Sequence, residues 1–488
     1  MFFMKSIRIK NTLAGTFVLG LLVLSSCAVN PVTGKKEVMF MSEQQEVALG
    51  KQSDPSIVAM YGLYDNPELQ KFINEKGQEM AKISHRSHLN FEFKILDSPV
   101  VNAFAVPGGY VYFTRGILAH FNNEAEFAGV LGHEIGHVTA RHSAKQQTKA
   151  TIAQILFIGG LVVSPAFRTF ANEAQQGMQL LFLKYSRDNE SQSDELGVEY
   201  STKIGYDAHH MANFFNTLSA MRQGTGNESL PTFMSTHPDP YDRFQKVGQL
   251  ADKAQANLDK SAFKTNRNEY MRMLDGLIYG NDPKQGYVEN DRFYHPELKF
   301  QFPIPKDWQV VNTPSQVQMA AKDGKAMMLL TLTQANSLDE AAQSVLEKYK
   351  LTLVEKKNLT LHGMKVLAMV ADQVNEQNGQ KIRILTYFIS YNGLIYTFHG
   401  LAELANFDEK VQFFNESMRN FTKLTDQSKI NKKPERIRIK SATQNQTLQA
   451  FLQKNRVPEK RLKEVAVLNG MALDANVSRG DLLKVVSQ

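Results

Sequence analysis

The stretch VLGHEIGHVTARH, residues 130–142, constrains the fold more than any other part of this chain. His133 and His137 stand four residues apart, and on an α-helix such positions lie one above the other on a single face, so both imidazoles can aim at one ion. Glu134 is turned about 100° round the helix from His133, close enough to reach a water on that ion without coordinating it. Gly129, Gly132 and Gly136 fall on one stripe of the same helix. Each costs a helix roughly 1 kcal/mol against alanine, and the simplest reason to keep all of them is a second helix drawn close beside the histidines.

The segment MQLLFLKYSRDNESQSDELGVEY, residues 178–200, supplies that partner, with apolar spacing at 180, 181 and 183 and then Glu190 and Asp194 four apart on one face. Glu190 is the candidate third ligand. Asp194, one turn on, is placed to accept the second ring N–H of a ligating histidine and fix its tautomer. Two histidines and one glutamate would hold one zinc ion per chain and leave a corner open, whereas structural zinc sites close with four protein ligands, often thiolates. Cys27 is the only cysteine of the chain. The open corner points to hydrolysis: zinc polarises a water and a substrate carbonyl, and Glu134 takes the proton the water must lose. His142, five residues past His137, rotates off the ligand stripe and is expected on the helix surface. His85, His88, His120, His209 and His210 have no partner at ligand spacing, and His295, His362 and His399 are isolated.

The amino-terminal segment reads as a secretory signal over residues 1–26, with Lys5, Arg8 and Lys10 ahead of an apolar run from Leu13 to Leu24 that is too short to span a bilayer comfortably. Leu24-Ser25-Ser26-Cys27 resembles the lipobox of bacterial lipoproteins, which implies acylation of Cys27, and Ala28 after it points to the outer membrane of a Gram-negative bacterium. A lone cysteine excludes a disulfide within the monomer. The formal charge of +7 loses three cations with the signal, and the small unclustered remainder gives no argument for nucleic acid as a partner.

At 488 residues the chain is long enough for two or three cores. A capping box at Ser42 and Gln45 starts a helix to about residue 52, and Asn66-Pro67 starts another to about 84. Strands at 90–96, 100–106 and 110–114 make a small antiparallel sheet, and the histidine helix runs from 123 to about 148. The uncharged residues 150–167 read as a helical hairpin near the active site, with an interfacial membrane contact as the alternative. Alternating segments and the turns Asp323-Gly324, Asn378-Gly379 and Asn392-Gly393, with helices near 338–349 and 407–420, mark a separate α+β unit. The last residues read strand, helix, helix, strand; TLQAFL, LNG and VSRGDLLKV resemble a LysM module, which implies contact with peptidoglycan. The expected fold class is thus α+β: a mainly helical zincin peptidase domain (27–265) with a small antiparallel sheet, an α+β accessory domain (266–428) and a βααβ LysM-like domain (429–488).

HEIGH, NESQSDELG and STHPDPYDR together resemble the family-48 metallopeptidases, which are gluzincins, and NPVTGKKEV and NAFAVPGGYVYFTRG resemble their periplasmic, lipoprotein-type branch. The resemblance covers about residues 30–255. It implies zinc on His133, His137 and Glu190 with Glu134 as base, and an edge strand around Asn102 and Ala103 that pairs with an extended substrate. It gives His237 and Arg243 the stabilisation of the oxyanion or, for the histidine, a removable fourth place on the zinc. The function expected from these features is a zinc-dependent endopeptidase, lipid-anchored in the periplasm, that cuts misfolded or unassembled cell-envelope proteins. The alternative is a largely latent assembly, chaperone-like or peptidoglycan-binding factor built on a peptidase fold.

Overall fold

A computed structural model of the chain describes residues 27–39, 41–149, 185–225, 233, 237, 240–374 and 379–488. The signal segment, the hairpin expected at 150–167 and the apolar positions 180, 181 and 183 lie outside them. Ser42 and Gln45 form both halves of the capping box, Ser42 Oγ accepting from the Gln45 amide at 3.2 Å and Gln45 Oε1 accepting from the Ser42 amide at 2.8 Å. The helix they start, Glu43–Tyr61, outruns its expected end. Its second half stays helical because Ile57 and Met60 are buried with Phe104, Val106 and Tyr112. Pro67–Lys82 starts at its expected cap, Asn66, whose side chain accepts from the Leu69 amide.

The small sheet is mixed rather than antiparallel. Tyr110–Thr114 is its central strand, antiparallel to Ala103–Val106 and parallel to Glu92–Leu96. Only Pro107-Gly108-Gly109 supplies a hairpin turn, with φ of +86° and +102° at the two glycines. Residues 97–102 instead pass over the helix Arg115–His120, where a Cβ on Gly116 would stand 2.2 Å from the Pro99 carbonyl oxygen. The first two strands therefore cannot form a hairpin, and the third inserts between them.

The histidine helix, Glu124–Thr139, is capped by Asn123 and has every residue buried. It ends earlier than periodicity suggests. Arg141 takes φ +57°, and a new helix, His142–Lys149, departs in another direction. Phe113, Phe127, Leu131, Ile135, Leu196 and Phe214 lie in the main core cluster. Tyr270, Leu274 and Ile278, from the start of the expected accessory segment, and Ile437 and Leu468, from the carboxy-terminal one, belong to the same cluster.

Beyond it, seven antiparallel strands form one sheet in the spatial order Gln309–Thr313, Gln316–Ala320, Ala326–Thr333, Leu394–Glu403, Lys381–Tyr391, Met364–Val374, Thr352–Leu361. Side chains alternate along a strand, so Met328 and Leu330 pack with Phe414 and Met418 of helix Leu404–Arg419, while Met327 and Leu329 pack with Ala341 and Val345 of helix Leu338–Lys348. The carboxy-terminal unit has the expected βααβ order: strand Glu435–Ser441 pairs with Leu482–Ser487, and helices Leu448–Lys454 and Leu462–Leu468 lie between them in sequence. The other edge of the first strand pairs with Ile278–Tyr279. Among the described residues no helix is long and apolar enough to cross a membrane.

Candidate metal centre

The glycine stripe seats two helices. A Cβ on Gly132 would lie 3.0 Å from both Cα and the carbonyl oxygen of Gly197, and one on Gly136 would lie 3.1 Å from Leu196 Cβ and 3.3 Å from Ser193 Cα. Both neighbours belong to helix Arg187–Lys203, which carries Glu190 and Asp194. Gly129 faces a different neighbour, Met211 of helix His209–Thr225, whose Cβ would be 2.4 Å from an added methyl. Without side chains at these points the backbones close up, and the acidic face of the second helix meets the histidines.

The result is a buried group of His133, His137, Glu190 and His237 whose ligand atoms all lie within 4.8 Å of one another. His133 Nε2 is 3.0 Å from His137 Nε2 and 3.2 Å from His237 Nδ1. Glu190 Oε1 is 3.4 Å from His137 Nε2, Oε2 is 3.6 Å from His133 Nε2, and both lie 3.0 Å from His237 Nδ1. Four donors at zinc bond lengths of ~2.0–2.2 Å in a tetrahedron would stand about 3.3–3.6 Å apart, so the spacing fits a zinc ion. The donor chemistry fits as well. Asp194 Oδ1 sits 3.0 Å from His133 Nδ1 and accepts its proton, which leaves Nε2 as a lone pair facing the centre.

The charges within the group are paired with one another. Burial favours the neutral form of Glu190, but His237 and Arg243 outweigh it and hold the carboxyl well below its usual range. Burial likewise works against a charged His237, and the Glu190 carboxylate outweighs it and raises its pKa. Arg243 grips Asp194 with two parallel bonds, Nε to Oδ2 at 2.9 Å and Nη2 to Oδ1 at 2.6 Å. Its Nη1 lies 3.0 Å from Glu190 Oε2, and the guanidinium covers the Phe215 ring at 4.1 Å.

Glu134 stands apart from this network. It is fully buried, yet among the described residues neither of its oxygens has a hydrogen-bond partner, and His237 Nε2 lies 3.7 Å away. Burial pushes its carboxyl up, against the opposing pull of His237 and His133. A buried carboxylate without donors costs a fold stability; a protonated ligand presented to it from the centre would satisfy it.

Asn102 and Ala103 lie at the amino-terminal end of Ala103–Val106, an edge strand of the small sheet, and the Asn102 side-chain oxygen is buried without a hydrogen-bond partner among the described residues. The Phe233 amide bonds the Val101 carbonyl at 3.1 Å, and the Phe233 ring stacks on His237 at 4.4 Å, so these two residues tie the start of that strand to the metal group. Cys27 pairs with Val38 in a short two-stranded ribbon.

One histidine is not where periodicity puts it. His142 is wholly buried, with Nδ1 3.0 Å from His137 Nδ1, rather than on the helix surface. The left-handed turn at Arg141 re-aims it, held by the Arg141 side chain on Glu46 Oε1 at 2.5 Å and on the Met41 carbonyl at 2.7 Å. Tyr185, stacked on the His137 ring at 4.0 Å, and Gln192 also join the site. No spacing rule marks either. His85 bonds Tyr200, and His209 bonds Asp207 and Asp252, away from the centre.

Comparison with known proteins agrees with this geometry. The model of Peptidase family M48 matches residues 67–251. The beta-barrel assembly-enhancing protease of Yersinia pestis is 28% identical over 328 residues, an alignment covering 64% of this chain and 61% of the relative. The mitochondrial metalloendopeptidase OMA1 of Arabidopsis thaliana is 31% identical over 187 residues, covering 38% of this chain and 36% of the relative. The putative beta-barrel assembly-enhancing protease of Vibrio cholerae is also 31% identical over 187 residues, covering 37% and 38%. The chain thus spans about three fifths of the length of the first of these relatives, and less of the others. The matched region includes both histidines of the HEIGH helix, the carboxylate helix and Arg243, and the chain carries a metallopeptidase domain of family M48.

Proposed function

We propose that the chain is a zinc-dependent endopeptidase acting on misfolded or unassembled proteins of the cell envelope. The observation that carries the reading is the fully buried Glu134 carboxylate, unpaired at both oxygens among the described residues, beside a four-residue group of zinc dimensions. His133, His137 and Glu190 would hold the ion, which when bound supplies polarisation of a water and of the scissile carbonyl. Glu134, raised above its ordinary range by burial, receives the proton of the attacking water and delivers it to the leaving amine. Asp194 orients His133, and Arg243 orients both carboxylates, Asp194 through Nε and Nη2 and Glu190 through Nη1, which keeps a positive charge beside the place where negative charge would develop. An extended substrate would add to the edge strand at Asn102 and Ala103 through backbone bonds, with little sequence preference.

The envelope setting rests on the names of the bacterial relatives and on the expected acylation of Cys27, which would tether the chain to the outer membrane from the periplasmic side. Purified protein is expected to cleave casein, to stop on addition of chelator, and to fall about 10²–10⁴-fold in kcat in Glu134→Gln while keeping its zinc. Undiminished cleavage by zinc-loaded Glu134→Gln refutes the role of Glu134.

A second reading has an observation of its own. His237 Nδ1 stands 3.0–3.2 Å from Glu190 and His133, close enough to take the corner that a water would need, and Phe233, stacked on it, bonds Val101 beside the expected substrate strand. In that reading the enzyme is latent until a partner draws the segment away, and the remaining domains, including the LysM-like unit, hold envelope proteins or peptidoglycan. His237→Ala then raises basal casein cleavage; an unchanged or lower rate removes latency through this residue. Co-sedimentation of the full chain with peptidoglycan tests the glycan contact.

A further inference from the structure

We propose that His142 and Gln192 are positioning residues for the metal centre: a hydrogen-bonded relay from Gln192 through His142 fixes the tautomer of His137 and presents its Nε2 to the ion. The inference rests on the metal-centre reading above and deepens it.

The direction of each bond follows from the atoms. His137 Nε2 lies 3.0 Å from His133 Nε2 and 3.4 Å from Glu190 Oε1, among the converging donors, so it must offer a lone pair. The ring proton of neutral His137 is therefore on Nδ1, and it needs an acceptor. The acceptor in reach is His142 Nδ1, at 3.0 Å. That nitrogen, unprotonated because it accepts from His137, also faces the Ser193 hydroxyl at 3.2 Å, which can turn its proton toward it. The proton of His142 then lies on Nε2 and is donated to Gln192 Oε1 at 3.0 Å, which in turn sets the orientation of the amide. No other assignment along the chain avoids two hydrogens, or two lone pairs, facing one another.

The fold is arranged to make this contact. A straight continuation of the histidine helix would place His142 well off the face of His137. The helix stops at Thr139, Arg141 adopts φ +57°, and His142 swings in to be wholly buried. A non-glycine residue in the left-handed region costs about 1 kcal/mol or more, and here the buried Arg141–Glu46 pair holds it there. Tyr185 stacks on the His137 ring and bonds Ser143, next to His142, at 2.8 Å, which confines the ring from its face while the relay confines its rotation. The two zinc-facing histidines are thus held by different devices: His133 by the charged Asp194, and His137 by a neutral imidazole backed by an amide.

The test measures zinc affinity by competition with a chromogenic chelator, together with the melting temperature of the chelator-stripped protein, on wild type, His142→Phe, His142→Asn and Gln192→Met. Phenylalanine fills the space without an acceptor, and asparagine restores one. Outer-shell partners of this kind change metal affinity by about 10–100-fold. His142→Phe is expected to weaken zinc by that factor with the stripped protein melting as wild type does, His142→Asn to recover most of the loss, and Gln192→Met to show a smaller loss in the same direction. Zinc affinity within about twofold of wild type in folded His142→Phe overturns the relay. Equal losses in His142→Phe and His142→Asn, matched by lower melting of the stripped forms, overturn it in favour of packing alone. Absence of zinc binding by wild type overturns the metal-centre reading itself, and the relay with it.

Discussion

Replacing Gly132 by alanine tests whether the close approach of two helices is what builds the metal group. The added methyl would stand 3.0 Å from Cα and the carbonyl oxygen of Gly197 and 3.3 Å from Met80 Sδ. Carbon atoms rest about 3.5–4.0 Å apart, so the helices must separate by roughly half an ångström. The neighbour is backbone and has no rotamer to change. Alanine contributes about 1 kcal/mol through helix propensity, and overpacking costs typically 1–3 kcal/mol; the net expectation is a loss of about 0–2 kcal/mol in the metal-free protein. Zinc is more demanding, because its ligand distances tolerate only about ±0.2 Å. Glu190 rides on the displaced helix, and zinc affinity is expected to fall at least about tenfold. Gly248 provides the control: it lies in helix Pro240–Gln255 with nothing within 4 Å of an added Cβ. There the same substitution should stabilise by up to about 1 kcal/mol and leave zinc binding unchanged. Urea unfolding with and without chelator, alongside zinc competition, reads both quantities. Zinc affinity in Gly132→Ala within about twofold of wild type would refute the argument that the stripe exists for the metal.

Other expectations follow from groups outside the centre. Lys484 is wholly buried and donates to the carbonyls of Ala119, Phe121 and Leu468 at 2.7–3.0 Å, joining the carboxy-terminal strand to the peptidase core; Lys484→Met strands those acceptors and should cost about 2–4 kcal/mol in urea unfolding, whereas a loss below about 0.5 kcal/mol would show the joint to be incidental. For the same reason deletion of residues 429–488 should destabilise the peptidase core, seen as a lower melting temperature, so the role of the carboxy-terminal unit is better read from the full chain. His399 is buried and its pKa falls to about 3, against an ordinary value of 6.5, through burial and then the charge of Lys348. Above pH 6.5 neither folded nor unfolded chain protonates it; between 6.5 and about 3 only the unfolded chain does, so stability is lost as pH falls through that window. His399→Gln should flatten the decline in urea midpoint between pH 7 and pH 4.5, and an unaltered slope would contradict it.

The histidine spacing, the glycine stripe and the four-residue step from Glu190 to Asp194 could be read from sequence because each follows from helix geometry alone. The same geometry put Asp194 one turn on, within reach of a ligating histidine; that this histidine is His133 depends on how the two helices pack. The helices at 338–348 and 404–419 and the turn at Asn392-Gly393 were legible for a similar reason, since local patterning coincides with burial on two faces of one sheet. The rest depends on contacts distant in sequence. The parallel pairing of Glu92–Leu96 with Tyr110–Thr114 follows from a loop pinned on Gly116, and the inward turn of His142 follows from a left-handed residue held by Glu46, almost a hundred positions away. Periodicity carries no trace of either. Tyr185 and Gln192 are ordinary residues until the helices meet.

The most direct test of the whole account is anomalous diffraction at the zinc absorption edge from crystals of the zinc-loaded protein. One peak per chain is expected, about 2.0–2.2 Å from His133 Nε2, His137 Nε2 and a Glu190 oxygen, with Glu134 beside it but not bonded to it. A peak lacking Glu190 among its neighbours, or no peak within that group, would contradict it.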